Sequence, residues 1–463
     1  KKVMKQQQND FARGSIPSNI MRLAIPMIFA QLINVLYNIV DRMYIGHIPE
    51  AAANALTGLG ITFPILCLVT AFANLFGGGG APLFSIAWGK GDRQTAEEIM
   101  GNSFALLLGT GALLTAVILL FKQPLLYLFG ASEVTFPYAD QYLTIYICGS
   151  IFVMAGLGMN NFINAQGFAR VGMGTVLIGA VLNLILDPIF IFIFDMGVSG
   201  AALATVLSQL VSSIWAVAFL AGKRVPMRLR LCNLRVRLCL FKRISALGFS
   251  GFIMSVTNSG VQIVCNATLQ AFGGDLYVGV MTIINSVREI ASVPVNGLTS
   301  AAQPVMGYNY GAKEYRRVRS GIKFTSITGF ILLAAIWIFL LAFPEFFISI
   351  FNDDPALVSA TIPAIHLYFF GFFMMALQMA GQSAAVSLGK SKQAVFFSLL
   401  RKAFIVIPLT LILPNFMNLG VNGVFLAEPI SNFIGGGACF ITMLCTIWRE
   451  LKQKEQQEPS STV

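Results

Sequence analysis

Charged side chains are scarce in this sequence. Asp, Glu, Lys and Arg together make up 11% of its 463 residues, whereas hydrophobic residues make up 56%. Soluble domains carry about a quarter charged residues, so the composition excludes a soluble protein and predicts a polytopic α-helical membrane protein. The apolar runs are long and unbroken, which excludes the short alternating strands of a transmembrane β-barrel.

The sequence also has few histidines, and its cysteines show no recognisable spacing. His47 and His366 are the two histidines, and the seven cysteines have neither metal-site nor disulfide-framework spacing. The GGGGAP run at 77–82 lacks the following Lys and Ser/Thr of a phosphate loop, so close helix packing or a helix break explains it better. We therefore predict no cofactor, no histidine- or cysteine-based metal centre, no ATP-driven step and no enzymatic activity.

Twelve apolar runs are long enough to cross a bilayer. They lie at about 16–47, 55–87, 96–121, 138–166, 171–195, 199–222, 244–272, 276–307, 318–343, 360–388, 393–414 and 419–447. Most Lys and Arg residues lie in the two ends or in the even-numbered connections. The positive-inside rule then places both termini in the cytoplasm, and the net charge of +11 reflects these loops rather than binding to nucleic acid.

The two halves of the chain repeat each other. MGVSGAALATVLS at 196–208 aligns with LGVNGVFLAEPIS at 419–431, and WGKGDRQTAEEIMGNS at 88–103 resembles NYGAKEYRRVRSGIKF at 309–324. Because each half has six spans, the repeats are parallel. We predict an N-terminal lobe at 1–222, a basic cytoplasmic linker at 223–243 that contacts anionic lipid, a C-terminal lobe at 244–448 and a cytoplasmic tail at 449–463.

A polar stripe interrupts the first span. Gln31, Asn34, Asn38 and Asp41 follow one another at steps of three, four and three residues, which places them on one helical face. An unpaired Asp at mid-membrane costs about 2.5–3.5 kcal/mol, so such a residue is a functional candidate. The alternative is that Asp41 pairs with Arg42 or a neighbouring helix for folding alone.

The fifth and sixth spans offer partners for this stripe. Asn183 and Asp187 are one turn apart on one helix, and Thr205 begins a polar face on the next. Two carboxylates with amide and hydroxyl oxygens suit Na+, and their mutual repulsion also favours binding of a proton. For Asn183 and Thr205, polar packing between membrane helices remains the alternative.

These features together resemble a known family. The twelve spans in two repeats, Pro26 and Asp41 of the first span, the NLILDP run at 183–188 and the GVSGAALAT run at 197–205 resemble the multidrug and toxic compound extrusion (MATE) family. The resemblance covers nearly the whole chain and is strongest to the bacterial branch related to DinF and MepA. It implies a V-shaped pair of six-helix bundles that exports organic cations in exchange for Na+ or H+.

The resemblance also implies a coupling site. It assigns Asp41, Asn183, Asp187 and Thr205 as the cation site, with Asp41 and Asp187 as metal ligands if the coupling ion is Na+. In the repeat, Asp41 falls near Gln262, Asp187 near Leu409 or Thr410, and Thr205 on Glu428. Ion coupling is therefore expected in the N-terminal lobe alone.

Other polar and adaptable residues are candidates for the substrate cleft. Met374 and its neighbours combine thioethers and rings that fit variously shaped apolar cations, and Glu289 lies on a polar face of the eighth span. The alternatives are an ion pair of Glu289 with Arg288, core or lipid contacts for Met374, and a packing role for Glu428. The cleft candidates are Asn34, Tyr37, Asn38, Gln262, Glu289, Met374 and Gln378.

Pro26, in the first span, is a candidate hinge, because proline removes a hydrogen bond from the helix.

The sequence thus predicts a secondary antiporter in the cytoplasmic membrane, expected to be a monomer, that carries cationic amphipathic small molecules. A metabolite exporter and a lipid-linked oligosaccharide flippase are the rival transporters. A flippase would need Arg or Lys along its cleft, and the spans offer mainly Arg288, Arg401 and Lys402. A prenyl transferase would need Asp-rich motifs, whereas the chain has only the pair Asp353–Asp354.

Overall fold

The computed structural model of the chain describes residues 9–45, 52–351 and 355–457, and every regular element within them is helical. The predicted all-α fold class is confirmed. His47 and the pair Asp353–Asp354 lie outside the described residues, as does the side chain of Arg42.

The α-helices are α1 (Ile16–Ile45), α2 (Ala52–Gly89), α3 (Arg93–Leu128), α4 (Phe136–Cys148), α5 (Ser150–Ala165), α6 (Ala169–Pro188), α7 (Gly197–Ala221), α8 (Leu238–Gly311), α9 (Tyr315–Ala342), α10 (Pro344–Ser349), α11 (Pro355–Tyr368), α12 (Met375–Ser387), α13 (Ser391–Leu399), α14 (Ile407–Ile412), α15 (Val421–Ser431), α16 (Gly437–Met443) and α17 (Arg449–Gln457). Wider π-helical turns follow α6, α13, α15 and α16, at Ile189–Ile193, Leu400–Val406, Asn432–Gly436 and Leu444–Trp448. Short 3₁₀ turns lie at Leu231–Leu234, Phe372–Met374 and Leu413–Asn418.

These helices supply twelve spans. Within the described residues, nine helical segments are long and apolar enough to cross a membrane, and two bent pairs bring the number to eleven. The pairs are α4 with α5, bent by 54°, and α11 with the segment Phe372–Ser387, bent by 49°. The number eleven includes α8 as a single span, although a helix of its 74 residues would extend far beyond a bilayer. Gly274, at φ 68° and ψ −165°, divides α8 into the seventh and eighth spans.

The chain forms two compact units. One contains Ile25–Gly248 with the described part of Lys1–Asp10, and the other contains Phe11–Ala24 with the described part of Phe249–Val463. Each boundary falls inside the first helix of a half, after Ala24 in α1 and after Gly248 in α8. These two positions are 224 residues apart, close to the spacing of the sequence repeat. The start of α1, in the N-terminal half, thus belongs to the second unit, and the start of α8, in the C-terminal half, belongs to the first unit.

Pro26 lies just past the first of these boundaries. Helix α1 continues through it, although proline provides no N–H for the helical ladder. A role for Pro26 as a hinge stays a prediction.

The run of glycines in α2 serves close packing. A Cβ at Gly79 would lie 2.4 Å from the carbonyl oxygen of Ile244, and one at Gly77 would lie 2.5 Å from the Cα of Gly158. Helix α2 continues unbroken through the run. The glycines therefore allow α5 and the start of α8 to approach the α2 backbone.

The basic linker, which is part of the first unit, packs against the repeated WGKGDRQTAEEIMGNS segment. Glu97 and Glu98 of α3 are largely buried. Arg230 pairs with Glu97 at 3.2 Å, and Arg237 pairs with Glu98 at 2.7 Å. The side chain of Asn102 accepts a hydrogen bond of 2.7 Å from the backbone N–H of Arg237. The contacts hold the segment that leads into α8.

The corresponding segment of the second unit holds the start of α1 in the same way. The guanidinium of Arg317 donates hydrogen bonds of 3.0 Å to the carbonyl oxygens of Phe11 and Gly14. It also donates to the side-chain oxygen of Asn309 at 2.8 Å. In both halves, the repeated motif therefore anchors the chain that enters the first helix of the other half.

Gly248 gives a test of the close approach between α2 and α8. A Cβ at this position would lie 1.8 Å from the carbonyl oxygen of Leu75, so Gly248→Ala should force the backbones apart. We expect a loss of roughly 1–3 kcal/mol of unfolding free energy, the usual cost of overpacking, measured as a lower thermal unfolding midpoint of the purified protein.

Gly251→Ala is the matched control, because nothing lies within 4 Å of a Cβ there and Gly251 is on the same helix. Alanine favours a helix over glycine by about 1 kcal/mol, so this variant should be at least as stable as the wild type. Equal stability of the Gly248 and Gly251 variants would contradict the packing described here.

Candidate functional site: an acidic pair in the first unit

Asp41 on α1 and Asp187 at the end of α6 meet inside the first unit. Their carboxyl groups interact directly, and Asp187 is fully buried. Two carboxylates in such a place repel each other and lose their hydration, which is unfavourable unless a cation or proton joins them. The contact brings together the two acidic side chains assigned to the cation site.

Asn183 and Thr205 join the same site. The amide of Asn183 donates a hydrogen bond of 3.1 Å to Oδ1 of Asp187, one turn further along α6. It also lies 3.4 Å from the Thr205 hydroxyl on α7. Asn183 is buried and Thr205 is half-buried. The structure therefore gathers all four residues assigned to the cation site, from three helices.

Three tyrosines surround this cluster. Tyr37 of α1 is close enough to both Asp41 and Asp187 for electrostatic interaction. On α4, the phenol of Tyr142 interacts with Thr205 and lies near Asp41. Tyr146, one turn later, stacks on Tyr142 with ring centroids 6.0 Å apart.

Sequence reasoning identified Tyr37 but missed Tyr142 and Tyr146. Both are buried. A signal was present, because two phenols at a spacing of four residues on an apolar helix share a face and need partners for their hydroxyl groups. The Tyr142 hydroxyl adds a neutral oxygen to the site.

The chemistry of the site fits a small hard cation. Carboxylate, hydroxyl and amide oxygens are the ligands that such ions prefer. Asn183 points its N–H group at Asp187, and rotation of the amide would present its oxygen instead. A proton shared by the two carboxyls satisfies the same electrostatic need.

The remaining first-span candidates lie on the exposed part of α1. Asn34 and Asn38 are both exposed. The amide of Asn38 donates a hydrogen bond of 2.7 Å to the backbone oxygen of Asn34. They flank Tyr37 in sequence but are not bonded to the acidic pair by any contact among the described residues.

The second-unit candidates have different environments. Gln262 lines a small cavity, Glu289 is exposed and Met374 is half-buried. Among the described residues Glu289 forms no ion pair, with Arg288 or otherwise. Gln378 is buried and donates a hydrogen bond of 3.4 Å to the carbonyl oxygen of Phe397, so its amide joins two helices.

Glu428 has a role that sequence reasoning did not foresee. It forms ion pairs with Arg401 and Lys402 inside the second unit. The signal was the presence of three ionisable residues in apolar spans, which in a membrane protein calls for mutual pairing.

Comparison with known proteins places these observations in a family. The MatE family model matches residues 26–189 and 252–412, which is most of both halves. The multidrug export protein MepA of Staphylococcus saprophyticus is 25% identical over 393 residues, covering 83% of this chain and 86% of that protein. MepA of Staphylococcus haemolyticus is 24% identical over 436 residues, covering 92% and 93%.

Solved structures show the same fold. An outward-facing multidrug resistance MATE family transporter of the MOP superfamily superposes with a TM-score of 0.90 at 23% identity, covering 96% of this chain and 99% of that one. A MATE structure in complex with MaL6 gives the same score and identity over 96% and 98%. The predicted resemblance is thus confirmed: the chain is a multi-pass membrane transporter, not an enzyme, and it belongs to the MatE (multidrug and toxic compound extrusion) family.

Proposed function

We propose that this transporter is a secondary antiporter that exports organic cations, including drugs of several kinds, in exchange for Na+ or H+. The contact between Asp41 and Asp187 carries the proposal, because two carboxyl groups that meet where Asp187 is buried attract a cation or a proton. The similarity to MepA proteins, which are named as multidrug exporters, supports the substrate class.

Coupling follows from this electrostatic need. A cation that enters from outside neutralises the acidic pair, and the conformation that releases the organic cation then becomes favoured. Release of the ion to the cytoplasm returns the negative charge and restores affinity for the next organic cation. A membrane potential contributes about 2.3 kcal/mol per charge and 100 mV, which adds to the ion gradient.

The placement in the membrane is part of the proposal. The distribution of Lys and Arg supports a location in the cytoplasmic membrane with both termini in the cytoplasm. The lobes are proposed at 1–222 and 244–448, joined by the linker 223–243 and followed by the tail 449–463. We propose a monomer, since each half supplies a complete six-span bundle.

Exposed polar groups and adaptable side chains are the proposed substrate contacts. Asn34 and Asn38 provide exposed amides on the helix that carries Asp41, and the exposed carboxylate of Glu289 would attract a cation. Met374 offers a half-buried thioether that adapts to differently shaped rings. The buried, hydrogen-bonded Gln378 fits a packing role better than direct substrate contact.

The acidic pair can be tested by stability. In alkaline, sodium-free buffer both carboxyls carry charge, so Asp187→Asn should remove their repulsion and raise the thermal unfolding midpoint. Acidification should shrink this difference, because a proton neutralises the same charge in the wild type. Added Na+ should stabilise the wild type more than the variant if Na+ is the coupling ion.

Asp195→Asn makes the same chemical change at an exposed residue of the same unit and should leave the midpoint unchanged at every pH. If Asp187→Asn is less stable than the wild type in alkaline sodium-free buffer, the carboxylate serves packing and the proposed cation site is wrong.

Export is tested by ethidium efflux from cells that express the protein. Asp41→Asn should lower the efflux rate at least about tenfold, the scale of loss when a group that supports ion binding is removed. The Asp195→Asn variant should transport like the wild type at equal expression. Undiminished efflux by Asp41→Asn would remove Asp41 from the mechanism.

The coupling ion is tested in proteoliposomes that contain the purified wild type. Drug transport is measured with a sodium gradient alone and with a pH gradient alone, and the gradient that drives accumulation identifies the ion. Transport that persists without either gradient would contradict antiport.

A further inference from the structure

A second cluster of buried charges lies entirely within the second unit. Lys402 Nζ lies 3.0 and 3.1 Å from the two carboxylate oxygens of Glu428, and Arg401 Nη1 lies 2.8 Å from the nearer of them. The three residues are 3–5% exposed. Arg288 lines the cavity beside Lys402 and Glu428. The wider π-helical turn Leu400–Val406 carries the Arg401 and Lys402 pair.

Positive charge exceeds negative charge in this cluster. Arg288, Arg401 and Lys402 face one carboxylate, Glu428. Glu289 follows Arg288 in sequence, but its side chain is exposed and forms no ion pair within the described residues. Arginine does not lose its proton in proteins, so two guanidiniums against one carboxylate leave a surplus even if Lys402 is neutral.

Hydrogen-bond donors are also in surplus. Among the described residues, buried donor atoms without a partner include Nε of Arg288, Nδ2 of Asn285, Nε of Arg401 and Nδ2 of Asn432, against one unpaired acceptor of the cavity lining, Oδ1 of Asn258. Arg288 and Asn285 both line the cavity. Each unpaired buried donor costs about 1–3 kcal/mol. An acceptor with negative charge would satisfy the donors and the excess of positive charge together.

The cavity limits the size of that acceptor. Besides the charged groups, Gln262, Cys265 and Tyr368 line it. In this conformation it has room for about one water-sized group. A halide ion matches such a space in size, as does one carboxylate oxygen of a larger molecule.

We propose that this cavity of the second unit binds a small anionic group, either a free halide ion or a carboxylate, held by Arg288 and Asn285 beside the Arg401–Lys402–Glu428 cluster. By the internal repeat, Glu428 aligns with Thr205 and Gln262 lies near the position of Asp41. The cavity is therefore the counterpart of the cation site of the first unit, with the opposite sign of charge. The proposal does not depend on antiport.

The test measures thermal unfolding of the purified full-length protein at fixed pH, sodium concentration and ionic strength. Chloride or acetate replaces a bulky sulfonate, the anion of MES, in stepwise titrations. We expect a saturable rise in the unfolding midpoint of the wild type. A response to both anions assigns a site for a free small anion, and a response to acetate alone assigns a site for a carboxylate group.

Arg288→Gln should weaken binding of the responding anion at least about tenfold, because it removes a charge and a donor that face the anion. In the sulfonate buffer this variant should be as stable as the wild type or more so, since Arg288 pairs with no carboxylate among the described residues. Arg316→Gln makes the same change at an exposed arginine of the same unit and should keep the full anion response.

Three results would overturn the proposal. They are the absence of any chloride- or acetate-dependent shift in the wild type, an equal shift in Arg288→Gln, and an Arg288→Gln variant that is less stable than the wild type or unfolded already in the sulfonate buffer. The last result would mean that Arg288 supports folding. Because the assay involves no transport, its failure leaves the proposed antiport untouched, and failed efflux leaves the anion site untouched.

Discussion

The cost of holding charge inside apolar helices governs the polar sites of this protein. In the first unit, Asp41 and Asp187 bring two carboxyl groups together beside the Asn183 amide and the Thr205 hydroxyl. In the second unit, Glu428 is paired with Arg401 and Lys402. We propose that the first arrangement binds a cation or a proton, whereas the second pairs its carboxylate with basic side chains of the chain itself.

The internal repeat explains how one fold carries both arrangements. Each half builds a bundle whose first helix begins in the unit of the other half, after Ala24 and after Gly248. The repeated motif near Glu97 in one half and near Arg317 in the other fixes these entry segments. Because the entry segments of both halves are held in the same way, interior positions matched by the repeat can carry different charges without changing the fold. Thr205 and Glu428 are such a pair.

The sequence predicted the fold well, because the fold depends on local patterns, and the role of the four assigned residues as a cation site stays a prediction. Length and apolarity define spans, and Asn183 and Asp187 share a helical face by spacing alone. The contributions of Tyr142 and the pairing of Glu428 depend on which helices pack together, which spacing within one helix does not determine. The hydrogen bond from Gln378 to the Phe397 carbonyl likewise depends on which helices pack together.

In the proposed antiport, occupancy of the acidic pair by a cation weakens binding of the organic cation. The most direct measurement is the affinity of the purified protein for ethidium across a range of Na+ concentrations and pH values. Linkage predicts that the affinity of the wild type falls as Na+ or protons occupy the site, and that Asp187→Asn loses this dependence. The same dependence in both proteins, or none in the wild type, would contradict it.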